Sequence, residues 1–399
     1  MPKMNILFVD DEPNIIQGLR RMLHPMRNEW NMKFVDNGEA ALQLMSTEPV
    51  DVLVTDMRMP EMDGALLLSI VRENYPKVVR IILSGYSEKE FVMKASSTAH
   101  QFLAKPCSME TLKNTIKRIQ HLRTLVCNEE LKEKVVGLSN LPSQPELYKK
   151  LDAELRSANV SLKKIGDIIS HDITMTAKIL QMVNSAFFGL PQKINDPIQA
   201  ANYLGMDTIK SLVLFHQLFS VFEKDESLQD YIKTIWEHSF KVGILAKKIT
   251  GLKYQENYII EQAFVAGLLH DIGKLVLIQL PSYQDKMKEL GTLSGHEIRV
   301  AEQSLFGTDH GMVGGYLLGL WGLPDFVVEA AAFHHSPSAI GDEQFSILSA
   351  VHIAHIGTEP NNIDNDYLEG IGVLDELEKY SEIVREIEEK EYEQQNTLC

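Results

Sequence analysis

Short apolar runs and amphipathic stretches alternate through about the first 125 residues of the chain. Runs at Ile6–Val9, Met32–Val35, Val52–Thr55, Val78–Leu83 and Phe102–Ala104 have the length of buried strands. Between them, Asn14–Arg27, Gly38–Ser46, Gly64–Asn74 and Glu88–Ser97 space their apolar side chains at the helical period. Five such alternations predict an α/β domain over residues 3–125, with a doubly wound, five-stranded parallel sheet. Ser108 and Glu110 then mark the start of a long helix. Its seam of Leu112, Ile116, Ile119, Leu122, Val126, Leu131 and Val135 advances in steps of about three and four residues. The seam fits a dimerising or signalling helix; it fits equally an ordinary last helix on its sheet, followed by a linker helix. Residues 126–145 are assigned to this linker and the boundary, which ends in the turn-rich Gly137–Pro145.

Beyond the boundary the pattern changes. From Glu146 to about Gly357 no strand pattern is evident and the helical period prevails. Helices are expected at Leu162–Ser170, Thr174–Asn184, Met206–Phe222, Trp236–Thr250, Gln262–Ile278 and Phe326–His334, which makes 146–360 an all-α bundle. Residues 361–399 form an acidic extension, read as helical from the spacing of Leu374, Leu377, Val384 and Ile387.

A chain of 399 residues has room for both domains. Its 39 basic and 55 acidic residues give a net charge of −16, which argues against DNA or an anionic membrane as partner. Ser211–Phe222 is too short to span a bilayer and is interrupted by His216 and Gln217. No charged-then-apolar leader precedes Asn5, and Cys107, Cys127 and Cys399 have no pairable or metal-binding spacing, so a reducing cytoplasm is expected.

Two groups of residues carry chemistry. Asp10 and Asp11 follow the first apolar run, Asp56 the third, and Lys105 the fifth. In a parallel sheet all four gather at the C-terminal ends of the strands, where open α/β sheets place their sites. Carboxylates that close repel one another unless a cation joins them, and an all-oxygen set suits Mg²⁺. Metal and lysine would then neutralise a phosphoryl group while Asp56 attacks it. The second group is histidine-rich: eight of the thirteen histidines lie between positions 238 and 355. His238, His270-Asp271, His310 and His334-His335 fall on or near predicted helices, which can bring them to one cavity inside a bundle. Imidazoles with a carboxylate suit Zn²⁺, Fe or Mn²⁺. Asp271 is placed to bridge two ions, and Lys274 to steady a phosphate oxygen.

The first set, completed by Ser84 and by Lys105-Pro106, resembles the receiver domain of two-component response regulators, a flavodoxin-like fold. The resemblance implies that Asp56 is the phosphoacceptor, with Mg²⁺ bound by Asp11, Asp56 and the Arg58 carbonyl while Asp10 holds a water ligand. It further implies Ser84 as switch hydroxyl, Phe102 as switch aromatic, Lys105 as the phosphoryl-binding lysine, and a sensor histidine kinase as partner. Leu141-Pro142-Ser143-Gln144-Pro145, Gly267-Leu268-Leu269-His270-Asp271-Ile272-Gly273-Lys274 and Trp321-Gly322-Leu323-Pro324 resemble the HDOD family, helical relatives of the HD phosphohydrolases. By that likeness His238, His270, Asp271, His310, His334 and His335 fall at metal-ligand positions, and His355 stands where the superfamily has its last Asp. The Gly-Tyr-Pro element of cyclic di-GMP phosphodiesterases is missing after His335. The expected function is a response regulator whose HDOD module binds a downstream protein or nucleotide, with a regulated metal-dependent phosphohydrolase as the alternative.

Overall fold

A computed structural model of the chain describes residues 3–84, 98–138, 141–142, 145–155, 157, 160–184, 193–204, 219–220, 226–290, 295–341, 343–359, 363–383 and 385. Five strands, β1 (Met4–Val9), β2 (Trp30–Val35), β3 (Val52–Asp56), β4 (Val79–Ser84) and β5 (Gln101–Ala104), form one sheet in the order β2-β1-β3-β4-β5. Every pairing is parallel. This is the doubly wound order with its switch point between β1 and β3. The strands bury both faces by two-residue alternation. Ile6, Phe8, Val52, Val54, Ile81 and Leu83 enter one core, and Leu7, Val9, Leu53 and Ile82 enter the other.

Helices α1 (Pro13–Leu23), α2 (Gly38–Met45), α3 (Gly64–Asn74) and α4 (Met109–Leu122) cover the sheet. A 3-10 turn at His24–Asn28 completes the stretch expected as one helix to Arg27. The expected helix Glu88–Ser97 lies outside the described residues. Ser108 caps α4 by accepting from the Thr111 amide.

The long helix expected from Ser108 is two helices. After α4 the chain turns through 123–128, and Asn128 caps α5 (Glu129–Gly137) by accepting from Leu131 N–H. The apolar seam survives the break because Val126, Leu131 and Val135 are each buried by the turn and by α5. The seam is consumed inside this chain: its residues share one core with the sheet and with the helical domain.

The helical domain comprises α6 (Pro145–Leu155), α7 (Leu162–Ser170), α8 (Ile173–Val183), α9 (Pro197–Leu204), α10 (Glu226–Lys253), α11 (Asn257–Leu269), α12 (Ile272–Leu277), α13 (Pro281–Leu290), α14 (Gly295–Phe306), α15 (His310–Leu320), α16 (Asp325–Phe333), α17 (Ile347–Thr358) and α18 (Asn365–Gly370). One short pairing was not expected: β6 (Leu141–Pro142) runs parallel to β7 (Phe219–Ser220). Two residues are too few for alternation to register in a sequence. The expected helix Met206–Phe222 otherwise lies outside the described residues, as do Val384 and Ile387 of the acidic extension. No single helix among the described residues is long and apolar enough to cross a membrane.

The two domains meet along β5, α4 and α5. Gln101 donates to the Gly319 carbonyl at 3.3 Å, and Arg118 donates to the Leu323 carbonyl at 2.6 Å while pairing with Asp325 at 2.8 Å. Leu122 packs on Gly319 so closely that a Cβ there would collide with its methyl groups. Deeper in the seam, Arg80 donates to the carbonyls of Val78, Thr98 and Val136, and His100 bonds Val136 as well. On the other side Gln181 donates to the His100 carbonyl, and the Lys178 ammonium sits 3.9 Å from the centre of the Trp321 ring.

Candidate functional sites

The first site lies where the topology predicts it, at the C-terminal ends of β1, β3, β4 and β5. Asp56 ends β3 and is buried, Asp10 follows β1 and is fully buried, and Asp11 beside it is partly exposed. Lys105, just past β5, joins them: its ammonium is 2.7 Å from Asp10 Oδ2 and also pairs with Asp56 Oδ1. The remaining oxygens are held by backbone. Asp10 Oδ1 accepts from Glu12 N–H and Asp56 Oδ2 from Arg58 N–H, each at 3.0 Å. Burial raises the Asp56 pKa, opposed by Lys105. Burial also disfavours the Lys105 ammonium, but Asp10 and Asp56 outweigh it and hold its pKa above the ordinary value. Ser84 ends β4 with its hydroxyl buried and without a hydrogen-bond partner among the described residues, and Phe102 is buried in the sheet core. The structure thus gathers Asp10, Asp11, Asp56, Arg58, Ser84 and Lys105 at one sheet edge, with Phe102 beneath.

The second site is assembled from six helices. The chain does not run as one helix over Gln262–Ile278: it breaks at His270-Asp271 between α11 and α12. This break lets adjacent residues face one cavity. Gly273 makes it fit, since a Cβ there would strike the His310 carbonyl. His238 comes from α10, His310 begins α15, His334 and His335 follow α16, and His355 lies in α17.

Asp271 is the centre. Its Oδ1 faces His310 Nε2 at 3.1 Å and His334 Nε2 at 3.7 Å; its Oδ2 faces His270 Nε2 at 3.5 Å and His238 Nε2 at 3.7 Å. Around it, one ligand atom from each of His238, His270 and His355 falls within one ion's reach, and likewise from His310, His334 and His335. His270 Nδ1 donates to the Gly267 carbonyl at 2.6 Å and His334 Nδ1 to Ala331 at 2.9 Å. A carbonyl only accepts, so both rings keep their protons on Nδ1 and turn bare Nε2 atoms inward. Among the described residues, His270 Nε2, His334 Nε2, His355 Nε2, His335 Nδ1 and Asp271 Oδ1 are buried without a hydrogen-bond partner.

Electrostatics follow from burial. It pushes His238 down to about 3 and lowers His270, His334, His335 and His355, so these rings are neutral. His310 is the exception: burial disfavours its cation, yet Glu302 and Asp271 lift it to about 10. Burial likewise opposes the Asp271 charge, but the Lys274 and His310 cations hold its pKa well below the carboxylate range. Lys274 bonds Asp271 Oδ2 at 2.6 Å and is nearly buried.

Sequence reasoning missed two carboxylates. Glu302 bonds His310 from α14, and Glu359, one turn beyond His355, lies 3.8 Å from His238 Nδ1 and 4.0 Å from His355 Nε2. Glu359 was legible in principle from its i+4 spacing to His355; nothing local marks Glu302. His352, near in sequence, points elsewhere and donates to the His334 carbonyl.

Comparison with known proteins finds a matching domain model in each half of the chain. The response regulator receiver domain model matches residues 6–117, and the HDOD domain model matches 141–337. An uncharacterized protein of Treponema pallidum is 24% identical over 223 residues, covering 55% of this chain and 42% of that protein. The hydrogenase transcriptional regulatory protein HoxA of Cupriavidus necator is 34% identical over 115 residues, covering 28% of this chain and 23% of its own length. The matches therefore span less than half of these curated relatives. Among solved structures, the signal receiver domain of an HD domain-containing protein from Pseudomonas fluorescens is 28% identical, covering 31% of this chain and 99% of that chain, with a TM-score of 0.29. The acidic site lies inside the receiver match, and the histidine cluster, apart from His355, lies inside the HDOD match; the chain joins a response regulator receiver domain to an HDOD domain.

Proposed function

We propose that Asp56 accepts a phosphoryl group and that its state governs the HDOD output through direct contact between the domains. One observation carries this reading: a single short strand holds both ends of the link. Lys105, just past β5, pairs with Asp56, and Gln101, at its start, bonds Gly319 of the helical domain. Receiver domains work with sensor kinases, which makes a sensor histidine kinase the phosphoryl donor. The hard oxygens of Asp10, Asp11, Asp56 and the Arg58 carbonyl fit Mg²⁺, since the two buried carboxylates already converge on one cation, Lys105. When bound, Mg²⁺ neutralises phosphoryl charge. An Asp56 oxygen forms the new bond to phosphorus as the donor's bond to phosphorus breaks. The unpartnered Ser84 hydroxyl then bonds the phosphoryl oxygens, Phe102 follows into the vacated space, and β5 shifts against the HDOD domain. The output binds a protein or nucleotide.

The test pairs intact mass with hydrogen exchange. Acetyl phosphate and Mg²⁺ are expected to add one phosphoryl mass to the wild type and none to Asp56→Asn. Beryllofluoride is expected to change exchange in residues 315–325. Unaltered exchange in a chain that does take up the phosphoryl group would refute the coupling.

A second reading rests on the five unpartnered buried atoms around Asp271. The donors would suit divalent Zn, Fe or Mn, held by His238, His270 and His355 or by His310, His334 and His335, with Asp271 grouped with His270 and His334. Such ions supply an activated water and Lewis acidity for phosphoester hydrolysis. Elemental analysis of protein purified without chelator, with a panel of phosphoesters, separates the two outputs. Bound transition metal with hydrolysis, both lost in Asp271→Ala, supports the hydrolase; an empty site and no hydrolysis supports the binder.

A further inference from the structure

We propose that Glu302, outside the histidine motifs, is the carboxylate that fixes His310 as an Nε2 metal ligand. It would be the middle of a buried Tyr231–Tyr283–Glu302–His310 relay ending at Asp271. The proposal rests on the metal-binding reading above.

Glu302 is fully buried on α14. Its Oε2 accepts from His310 Nδ1 at 2.6 Å and from the His310 amide at 2.9 Å. Its Oε1 accepts from the Tyr283 hydroxyl at 3.0 Å, and Tyr283 meets the Tyr231 hydroxyl at 2.9 Å. A carboxylate with three donors is satisfied as an anion and dictates the state of its neighbour: His310 Nδ1 must carry hydrogen. The opposite nitrogen, Nε2, is then aimed at Asp271 Oδ1, 3.1 Å away, with His335 Nε2 at 2.9 Å.

A purely structural role explains less. Capping α15 requires one oxygen on the His310 amide, yet the imidazole bond is the shorter one. The comparison with His270 and His334 is instructive. Each of those ends a helix and donates Nδ1–H to the carbonyl three residues before it. His310 starts its helix, so no preceding turn offers a carbonyl. The sequence supplies a side chain from α14 instead, and a carboxylate raises the donor strength of the ring more than a carbonyl does. Among the described residues of the cluster, His310 is thus the histidine whose Nδ1 is hydrogen-bonded to a carboxylate, and it shares Asp271 Oδ1 with His334.

Titration of the metal-stripped chain with Co²⁺ tests this by affinity and by the visible d–d spectrum. Glu302→Gln keeps the shape and an oxygen for the His310 N–H groups but removes the charge. It is expected to weaken Co²⁺ binding by about ten- to a hundred-fold and to shift the d–d bands. Tyr283→Phe removes one donor to Glu302 and is expected to weaken binding a few-fold. If the wild type binds no Co²⁺, the metal reading itself falls. If it binds and Glu302→Gln matches it in affinity and spectrum, the relay is wrong. Should Glu302→Gln fail to fold, Tyr283→Phe decides: wild-type affinity and bands overturn the proposal.

Discussion

Lys178 is the most informative residue to perturb at the contact between the domains. It lies on α8, 3% exposed, with its ammonium over the Trp321 ring and 3.4 Å from Gln181 Oε1. No carboxylate pairs with it among the described residues. Burial lowers its pKa from 10.5 to about 7. At about 1.36 kcal/mol per tenfold change in ionisation, that span from 10.5 to about 7 corresponds to about 5 kcal/mol against the charged form in the folded chain. The Trp321 face returns about 2 kcal/mol when such a pair is desolvated. A net penalty of about 3 kcal/mol remains.

Lys178→Met keeps an unbranched chain on Trp321 and removes the charge. The sign follows from linkage. Between the folded-state pKa, which the ring attraction places above 7, and 10.5, the unfolded chain holds a proton that the folded chain has lost, so wild-type stability rises with pH across this window. Below pH 7 both states are protonated and the penalty is present in full. Urea denaturation at pH 6 is expected to find Lys178→Met more stable by about 3 kcal/mol, from the same burial and ring terms. The difference is expected to shrink steadily above pH 7. A variant that is less stable at pH 6, or that keeps the wild-type pH slope, refutes the reasoning.

Three further outcomes are expected. Asp271→Asn strands the buried Lys274 ammonium and is expected to cost about 3–5 kcal/mol by urea denaturation. Gly273→Ala drives a methyl into the His310 carbonyl and is expected to cost about 1–3 kcal/mol and to lower metal content by elemental analysis. Ser84→Ala is expected to take up phosphoryl from acetyl phosphate as the wild type does, while beryllofluoride no longer changes hydrogen exchange in residues 315–325.

The sheet was legible because buried parallel strands write themselves as apolar runs, and its site because strand ends are fixed once the runs are found. Asp10, Asp56, Ser84 and Lys105 needed no tertiary information beyond strand order. The helical domain was legible in kind but not in its breaks. Nothing in the apolar spacing of Gln262–Ile278 announces that the helix turns at His270-Asp271. That turn is demanded by packing of Gly273 on α15, a contact 37 residues distant in sequence. Glu302 was invisible for the same reason: its partner is on another helix. The seam from Leu112 to Val135 was legible as apolar, while the cap at Asn128 that divides it fell in a stretch where periodicity alone continued.

The histidine site also shows how one substitution can be answered nearby. His355 stands where the resemblance expects an aspartate, and a neutral ring does not replace that charge. Glu359, one turn on, brings a carboxylate to within 4.0 Å of the same ring and 3.8 Å of His238. The interface invites a parallel argument. Arg80, His100 and Lys178 gather where the domains meet, with no carboxylate beside them among the described residues. Carbonyls satisfy the Arg80 donors, yet burial still lowers its pKa to about 9. An apolar seam of the same area would hold the domains more firmly. If Asp56 is phosphorylated as proposed, its one to three new charge-assisted hydrogen bonds act on a contact that already buries these basic groups.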